Sequence, residues 1–556
     1  MRSLILKRVN GQAEQLTNWS QINWQQVHKL IRNLQRRIFR TRKLGRFKQL
    51  RRLQKLLIKS YANLLISVRQ ITQLNQGKHT PGVDKEVIKT PAERVKLVNE
   101  WMMPKAKPTR RVLIPKSNGK KRPLGITTIR DRVAQNIVKN LLEPEWEAVF
   151  EPNSYGFRAG RSCHDAIEQV FNRFRDNHSG RDKWVLDADI SGCFDNLAHE
   201  SILNSIKSTP CENLIGEWMK AGYIYEGIFY PTEMGTPQGG VVSPLLSNIG
   251  LHGLEIMVKS LNKKLGIVRY ADDFLITSKT KKGLEEVLPR VKQWLSERGL
   301  ELSTEKTKIV HIDDGFNYLG FNIRCYKGKL LIKPQKEKVL SFCKKVGKII
   351  KSNKSVKQET IIKKLNPILR GFANYYQRVV SKETFQYISH RVWKYLWDWC
   401  KRRHLKKRIR WIKNKYFHFI KGRDWTFCCM TEDRKGKEKP LYLYNVAKTP
   451  IVRHIKVTGT NSPFDTELQE YWEKRSIKEG KTKWAEGSTY YRVAKNQKYK
   501  CPNCGQSLTN GEQVEIHHII PVKEGGSDDT ENLIFLHKSC HKQEHWKTKF
   551  KVGSMA

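Results

Sequence analysis

Apolar positions recur at helical spacing through residues 24–75. Leu30, Leu34 and Ile38, then Leu50, Leu53 and Leu57, lie amid arginines and lysines, which predicts amphipathic helices with a basic outer face. GKHTPGVD (77–84) interrupts the pattern with Pro81 before Gly82 and predicts a turn. RVLIPKSNGKKRPLGI (111–126) places two apolar runs around Ser117, Asn118 and Gly119, the pattern of a β-hairpin. A helix is expected from Asp131, with Val133, Ile137, Val138 and Leu141 on one side. WVLDADI (184–190) reads as a buried strand, and IVRYADDFLIT (267–277) as two strands bent at Ala271, Asp272 and Asp273. Helices at 281–298, a hairpin at about 307–324 and a helical stretch over 335–420 follow. Residues 422–495 are polar, aromatic-rich and poorly periodic, and 496–556 form a compact unit. There is no internal repeat. The predicted class is a multidomain α+β protein.

Charge changes the picture more than size does. The 556 residues suffice for three to five domains. Lys and Arg number 105 against 53 Asp and Glu, a net charge of +52. An excess this large calls for a polyanion, and nucleic acid is the expected partner. Solubilising lysines would explain it less well, because the charge recurs in every segment and includes many arginines. Membrane-surface binding lacks a lipidation motif or an amphipathic anchor. No run of eighteen apolar residues predicts a membrane span, and the first residues do not read as a signal peptide. A cytoplasmic protein, nucleoid-associated when acting on DNA, is the expectation. Of eleven cysteines, Cys163, Cys193, Cys211, Cys325 and Cys343 stand alone beside apolar residues, as buried thiols do; only Cys501, Cys504 and Cys540 look organised.

Three acidic residues stand in apolar strands. Asp189 ends WVLDAD, and Asp272 and Asp273 interrupt VRY and FLI. Carboxylates near a core are rare unless paired or metal-bound. Converging at strand ends, such groups can hold two ions roughly 4 Å apart for phosphoryl transfer. Ala271-Asp272-Asp273 also suits a plain hairpin turn. Asp187, on the same strand face as Asp189, rivals it for the first carboxylate. The turn reading leaves Asp189 unexplained, and with it the run MGTPQGGVVSPLLSN (234–248), in which Gln238 sits among Gly235, Pro237, Gly239 and Gly240.

Tyr270-Ala271-Asp272-Asp273 resembles the catalytic signature of reverse transcriptases. The blocks around it resemble group II intron-encoded proteins, the intron maturases. These are GKHTPGVD, RVLIPKSNGKKRPLGI, NSYGFRAGRSCHDAI (153–167), LDADISGCFDNL (186–197), GTPQGGVVSPLLSN, VRYADDFLI, GLELSTEKTKI (299–309) and FNYLGFNI (316–323), in the family's order. The resemblance implies a right-hand polymerase in which Asp189, Asp272 and Asp273 hold Mg²⁺. Phe194 would be the steric gate against ribose, although as an aromatic it could equally serve the core. Gln238 would contact nucleotide and template, and Lys120 and Arg122 the triphosphate of a dNTP. Only the resemblance prefers Asp189 to Asp187.

In 360–400, Leu365, Ile368 and Leu369 share a face that Phe372, Tyr375 and Tyr376 continue, as in a helical-bundle core. Arg370, Arg378, Arg391, Lys401, Arg402, Arg403 and the run Lys406 to Arg410 add a cationic surface where exposed aromatics can stack on bases. RGFANYY (370–376) and KRRH (401–404) resemble the family's thumb, or maturase domain, which implies binding of the parent intron RNA and help with its splicing.

Cys501-Pro-Asn-Cys504 with His537 and Cys540 has the spacing of a structural zinc site. His541 and His545 lie one helical turn apart, and His517 and His518 point to opposite sides of a strand. With Asn532 between them, these residues resemble the zinc-stapled ββα-metal core of HNH nucleases. The likeness implies that His518 activates water and that His517, His541 and His545 hold a divalent ion, Mg²⁺ being the expected one. Asn532 would lock the loop that orients His518, and cleavage would leave a 3′-hydroxyl.

The expected organisation is a basic helical extension (1–80), fingers and palm (81–325), helical thumb or maturase domain (326–420), DNA-binding region (421–495) and HNH domain (496–556). The expected partners are group II intron RNA, target double-stranded DNA and dNTPs, with a homodimer left open. The expected function joins reverse transcription, maturation and DNA cleavage. A splicing-only RNA-binding protein would have eroded carboxylates or histidines, and a stand-alone reverse transcriptase would lack the HNH unit.

Overall fold

The computed structural model describes residues 15–115, 119, 121–175, 181–420, 422–432, 438–484 and 488–553, with the side chains of 482 and 547–553 left aside. Lys120, and the turn residues Ser117 and Asn118, lie outside the described residues. The basic N-terminal stretch forms helices Trp24–Lys43, Phe47–Ile58 and Tyr61–Arg69. Ile38, Leu50, Leu53 and Leu57 bury their side chains beside the helix Ile129–Glu147. That helix starts where Thr128 accepts a hydrogen bond from the Asp131 N–H, as an N-cap does.

The first hairpin pairs Thr109–Pro115 with Lys121–Ile126. Tyr223–Tyr225 and Ile228–Tyr230 extend it to four strands. A second sheet is centred on Trp184–Ser191, which pairs antiparallel with Asp273–Ser278 on one side and with Lys308–His311 and Glu301–Leu302 on the other. Gly266–Tyr270 flanks Asp273–Ser278. Val185, Leu186, Leu275 and Ile276 are all buried, so both faces of the sheet are covered and these strands read as unbroken apolar runs.

Two expectations need correction here. The hairpin expected over 307–324 is divided between two sheets. Lys308–His311 joins the central sheet, with His311 opposite Trp184 and their rings 4.8 Å apart. The hairpin proper pairs Phe316–Tyr318 with Phe321–Tyr326 across Leu319 and Gly320. Both turn residues have positive φ, +49° and +82°, as a two-residue hairpin turn requires. The helical stretch of 335–420 is Lys336–Ser352, Gln358–Tyr376, Lys382–Arg403 and Ile409–Tyr416, but it ends in a strand. Phe417–Ile420 begins a three-stranded sheet with Arg423–Glu432 and Glu438–Tyr442, inside the stretch read as irregular. Phe427 is buried against Trp399 and Tyr416, and Phe417 against Phe427 and Trp397. Only these few positions are inward, so the alternation in the sequence is faint.

Asp165 fastens a later part of the chain to the helix Cys163–Phe174. Its Oδ2 accepts from the Ser162 N–H (2.8 Å) and Oγ (2.9 Å) at the start of helix Cys163–Phe174. Its Oδ1 accepts from the Val457 N–H at 2.8 Å and Arg475 Nη2 at 3.2 Å, with His454 Nε2 at 3.0 Å. Burial pushes this carboxyl up, but the His454 contact and the other donors outweigh it and hold it well below the usual carboxylate range.

The C-terminal unit pairs Val514–His518 with Leu533–His537 and continues into helix Lys538–Gly553. It shares a hydrophobic cluster with the N-terminal helices, joining Trp24, Val27 and Val68 to Leu508, Phe535 and Cys540. Among the described residues no helix is long and apolar enough to cross a membrane.

Candidate active sites and metal centre

The strands Gly266–Tyr270 and Asp273–Ser278 are joined by Ala271 and Asp272, with Ala271 at φ +58°. Neighbouring groups hold this left-handed turn. Arg269, 2% exposed, donates from Nη1 to Asn248 Oδ1 (3.1 Å) and to the Ala271 carbonyl (3.3 Å). Asn248 in turn donates to the Gly156 carbonyl at 2.8 Å. A Cβ on Gly156 would fall 2.4 Å from the Ala271 nitrogen, so the backbone approach requires glycine. Arg269, Asn248 and Gly156 were not foreseen. The only signals are a charge and an amide inside apolar runs, for Arg269 and Asn248, and a glycine within NSYGFRAG for Gly156.

Asp189 and Asp273 are register partners, and the Ile190 N–H donates to the Asp272 carbonyl at 3.3 Å. Lys306 Nζ lies 2.6 Å from Asp189 Oδ2. Burial, the contact with Asp189 and the charge of Asp272 push Asp273 up to about 8. Burial, and then the charge of Asp189, also raises Asp272. Asp187 is pushed up to about 6, mainly by burial, and pairs across the sheet with Leu275 and Lys308. Lys306 offsets these mutually repelling, partly buried carboxylates only in part, and hard divalent cations are the ligands such oxygens fit. The three carboxylates do not converge as a set to within 4.8 Å, the spacing reached in the C-terminal unit both by the Cys501, Cys504, His537 and Cys540 group and by the His517, His541 and His545 group.

Phe194 lies on the single-turn helix Cys193–Asn196, entered through Gly192 at φ +55°. It is 9% exposed and meets Phe157 edge-on at 6.4 Å. The glycine-rich run lies against its backbone: the Thr236 N–H donates to the Phe194 carbonyl at 2.6 Å, and a Cβ on Gly235 would meet that oxygen at 2.5 Å. Gln238 bridges two elements. Its Oε1 accepts from Arg122 Nε of the first hairpin (2.8 Å), and its amide donates to Asp195 Oδ2 (3.0 Å). Arg122 thus joins the site, and Asp195, unassigned from the sequence, holds Gln238 in place.

In the C-terminal unit, His517, His541 and His545 bring ligand nitrogens within 4.8 Å of one another. His541 Nδ1 lies 2.8 Å from Glu515 Oε2. Glu515 precedes His517 by two residues and so shares its strand face, a signal the sequence reading passed over. His518 faces the other way, with Nε2 2.8 Å from Asp528 Oδ1. Asn532 clamps the intervening loop: its Oδ1 accepts from the Ile520 N–H at 2.7 Å, and its Nδ2 donates to the carbonyls of Ile520 (3.1 Å) and Ser527 (2.8 Å).

Cys501, Cys504, His537 and Cys540 are all buried with ligand atoms within 4.8 Å. His537 Nδ1 lies 3.3 Å from Cys504 Sγ, and its Nε2 lies 3.1 Å from the Ser507 carbonyl. Nε2 is thus spoken for and Nδ1 faces the thiols, as a ligating imidazole would. The donor set fits a divalent metal.

Comparison with known proteins gives four family matches. Residues 19–101 match the N-terminal domain of reverse transcriptase, and 114–323 match reverse transcriptase (RNA-dependent DNA polymerase). Residues 339–417 match the group II intron maturase-specific domain, and 501–547 match HNH endonuclease. Protein YkfC of Escherichia coli K12 is 34% identical over 305 residues, 47% of this chain and 80% of that protein. Group II intron-encoded protein LtrA of Lactococcus lactis subsp. cremoris is 31% identical over 326 residues, 46% of this chain. The match spans 54% of LtrA, just over half its length. Maturase-like protein 1 of Euglena gracilis is 25% identical over 379 residues, 65% of this chain and 78% of that protein.

Proposed function

We propose, from the premise that this chain belongs to the group II intron-encoded reverse transcriptase and maturase family and carries an HNH endonuclease domain, that it inserts its own intron into DNA. Membership brings polymerase and endonuclease domains and binding of RNA and DNA in general. The finer assignments follow. The fingers and palm (81–325) form a right-handed polymerase. The maturase domain (326–420) holds intron RNA together with the basic extension (1–80). Residues 421–495 grip duplex DNA, and the ββα unit (496–556) cuts it. The complex works in the cytoplasm, at the nucleoid.

In the palm, Asp189, Asp272 and Asp273 would hold Mg²⁺, whose chemistry is to lower the pKa of a primer hydroxyl and neutralise the departing pyrophosphate. Phe194 presents a rigid edge where a ribose 2′-hydroxyl would intrude. Gln238, braced by Asp195 and Arg122, orients the incoming nucleotide over its template, and Arg122, with Lys120, neutralises the triphosphate. In the nuclease, His517, His541 and His545 would hold a divalent ion. His518 takes the proton of the attacking water through its ring nitrogen, oriented by Asp528. Cys501, Cys504, His537 and Cys540 would hold zinc.

The observation that carries this reading is the split of the adjacent histidines. His517 turns into the three-histidine cluster while His518 turns to Asp528, which separates a metal ligand from a general base. An HNH cut leaves a 3′-hydroxyl, the nucleophile that the palm requires, and one chain holds both sites at high effective concentration. The test uses His518→Ala in the assembled ribonucleoprotein on a labelled duplex target. Bottom-strand cleavage and cDNA begun at that cut should both vanish. RNA insertion into the top strand and extension of a supplied primer should survive. If cDNA still begins at the normal position, the nuclease does not make the primer and the coupled mechanism fails.

A further inference from the structure

Three thiolates and one neutral imidazole around a divalent ion leave one net negative charge. In the C-terminal knuckle that charge would sit among fully buried ligands, where an uncompensated ion is strongly unfavourable. The counter-charge stands at the other end of the chain. Arg69, the last residue of helix Tyr61–Arg69, is 2% exposed. Its Nη2 lies 3.3 Å from Cys540 Sγ and 2.9 Å from Ser539 Oγ. The guanidinium rests 4.4 Å from the Trp24 ring.

The rest of Arg69 is poorly compensated. Its Nε and Nη1 are buried without a hydrogen-bond partner, and among the described residues no carboxylate pairs with it. An arginine cannot shed its proton to escape such a site. A buried cation with no carboxylate partner, touching a ligand of a site with one surplus negative charge, is an arrangement in which each side offsets the other. The surrounding contacts extend the junction. Gln543 Nε2 donates to the carbonyls of Ser20 (2.6 Å) and Ile22 (2.9 Å), and Arg32 Nη2 donates to Gln506 Oε1 (3.1 Å).

We infer that Arg69 is the counter-charge of the metal knuckle, and that metal binding thereby fastens the nuclease unit to the N-terminal helices of the polymerase. The inference rests on the knuckle holding a metal. Coupling of this kind is reciprocal: whatever Arg69 adds to metal affinity, the metal adds to docking of the helices. Arg69 is a positioning residue here and touches neither substrate nor reacting atoms.

The experiment uses the full chain with Arg69→Met, which keeps a long apolar stem and removes the charge, beside Arg69→Lys. Zinc content and the rate of zinc transfer to an excess chromogenic chelator are measured. Amide hydrogen exchange of Trp24–Lys43 and Tyr61–Arg69 is followed before and after zinc removal. Arg69→Met should bind zinc about 10- to 100-fold more weakly, the usual cost of losing a group that supports metal ligands, with Arg69→Lys between it and the parent. Zinc removal from the parent chain should speed exchange in both helices, whereas in Arg69→Met they should exchange quickly from the start. If Arg69→Met does not fold, Ser539→Ala, which removes the guanidinium's other acceptor, should still quicken zinc release several-fold. Unchanged zinc release in Arg69→Met, or in Ser539→Ala where that variant is used, overturns the inference, as do helices indifferent to zinc removal. Failure of the knuckle reading itself looks different: Cys540→Ser would then hold as much zinc as the parent chain.

Discussion

Asp189 and Asp273 stand directly opposite each other on neighbouring antiparallel strands, so their carboxylates crowd one face of the sheet. Asp273 is pushed up to about 8 by burial and by this partner. The unfolded chain gives up the same proton near pH 4. The stabilisation that this proton brings is therefore complete below about pH 4 and lost as pH rises through about 8. Without Mg²⁺, thermal stability relative to Asp273→Asn should fall across that window, and the gap should close when Mg²⁺ is added. Mg²⁺ binding at pH 7 should release about one proton, measurable by calorimetry in buffers of different ionisation enthalpy. Metal uptake without proton release would remove the basis of this expectation.

Asp272→Ala should lower cDNA synthesis by roughly 10³-fold or more, since metal-held charge supplies several kcal/mol of transition-state stabilisation. Binding of intron RNA and splicing should persist, because the maturase-specific residues 339–417 lie elsewhere in the chain. Primer extension and splicing assays on one preparation separate the two. Full polymerase activity in this variant would sink the metal-ligand role.

Phe194→Val should admit ribonucleotides about 10- to 100-fold more readily relative to deoxyribonucleotides, the range expected when a few carbons leave a selective wall. Phe157→Ala, which removes only the edge contact at 6.4 Å, should shift the ratio less and in the same direction. Competition between labelled ribo- and deoxyribonucleotides measures this. An unchanged ratio in Phe194→Val would make the residue part of the core alone.

Glu515→Gln should weaken divalent-metal activation of DNA cleavage by about 10- to 100-fold, because a carboxylate bound to a ligating imidazole sets its orientation and basicity. Reverse transcription should be unaffected. The midpoint of cleavage against Mg²⁺ concentration is the readout, and an unmoved midpoint would exclude Glu515 from the site.

Local patterns carried much of this structure and pairwise contacts carried the rest. The first hairpin, the buried Trp184 strand and the bend at Ala271 were legible because each is coded by a few consecutive residues. His517 and His518 could be assigned to opposite faces because strand side chains alternate. The partner of Lys308–His311 was not legible, since an apolar strand next to a hairpin says nothing of which neighbour it chooses. The sheet around Phe427 was missed because only a few of its side chains point inward. Arg269, Asn248 and Arg69 were invisible for a different reason. Asn248 bonds the Gly156 carbonyl, Arg269 bonds Asn248, and Arg69 meets Ser539 and Cys540, all partners well separated in the chain, and a buried polar group leaves no periodic trace.

The cluster shared by Trp24, Val68, Leu508 and Cys540 also sets a schedule for the ribosome. The N-terminal helices emerge early, but their apolar partners near residue 500 do not follow until some 400 residues later. At roughly 5–20 residues per second, that delay is on the order of 20 to 80 seconds. During it, Trp24 and Val68 have the N-terminal part of their cluster, Trp19 included, but lack the part that residues near 500 supply. The helices therefore pass through synthesis with an apolar seam only partly covered, the kind of transiently exposed surface that chaperones exist to shield.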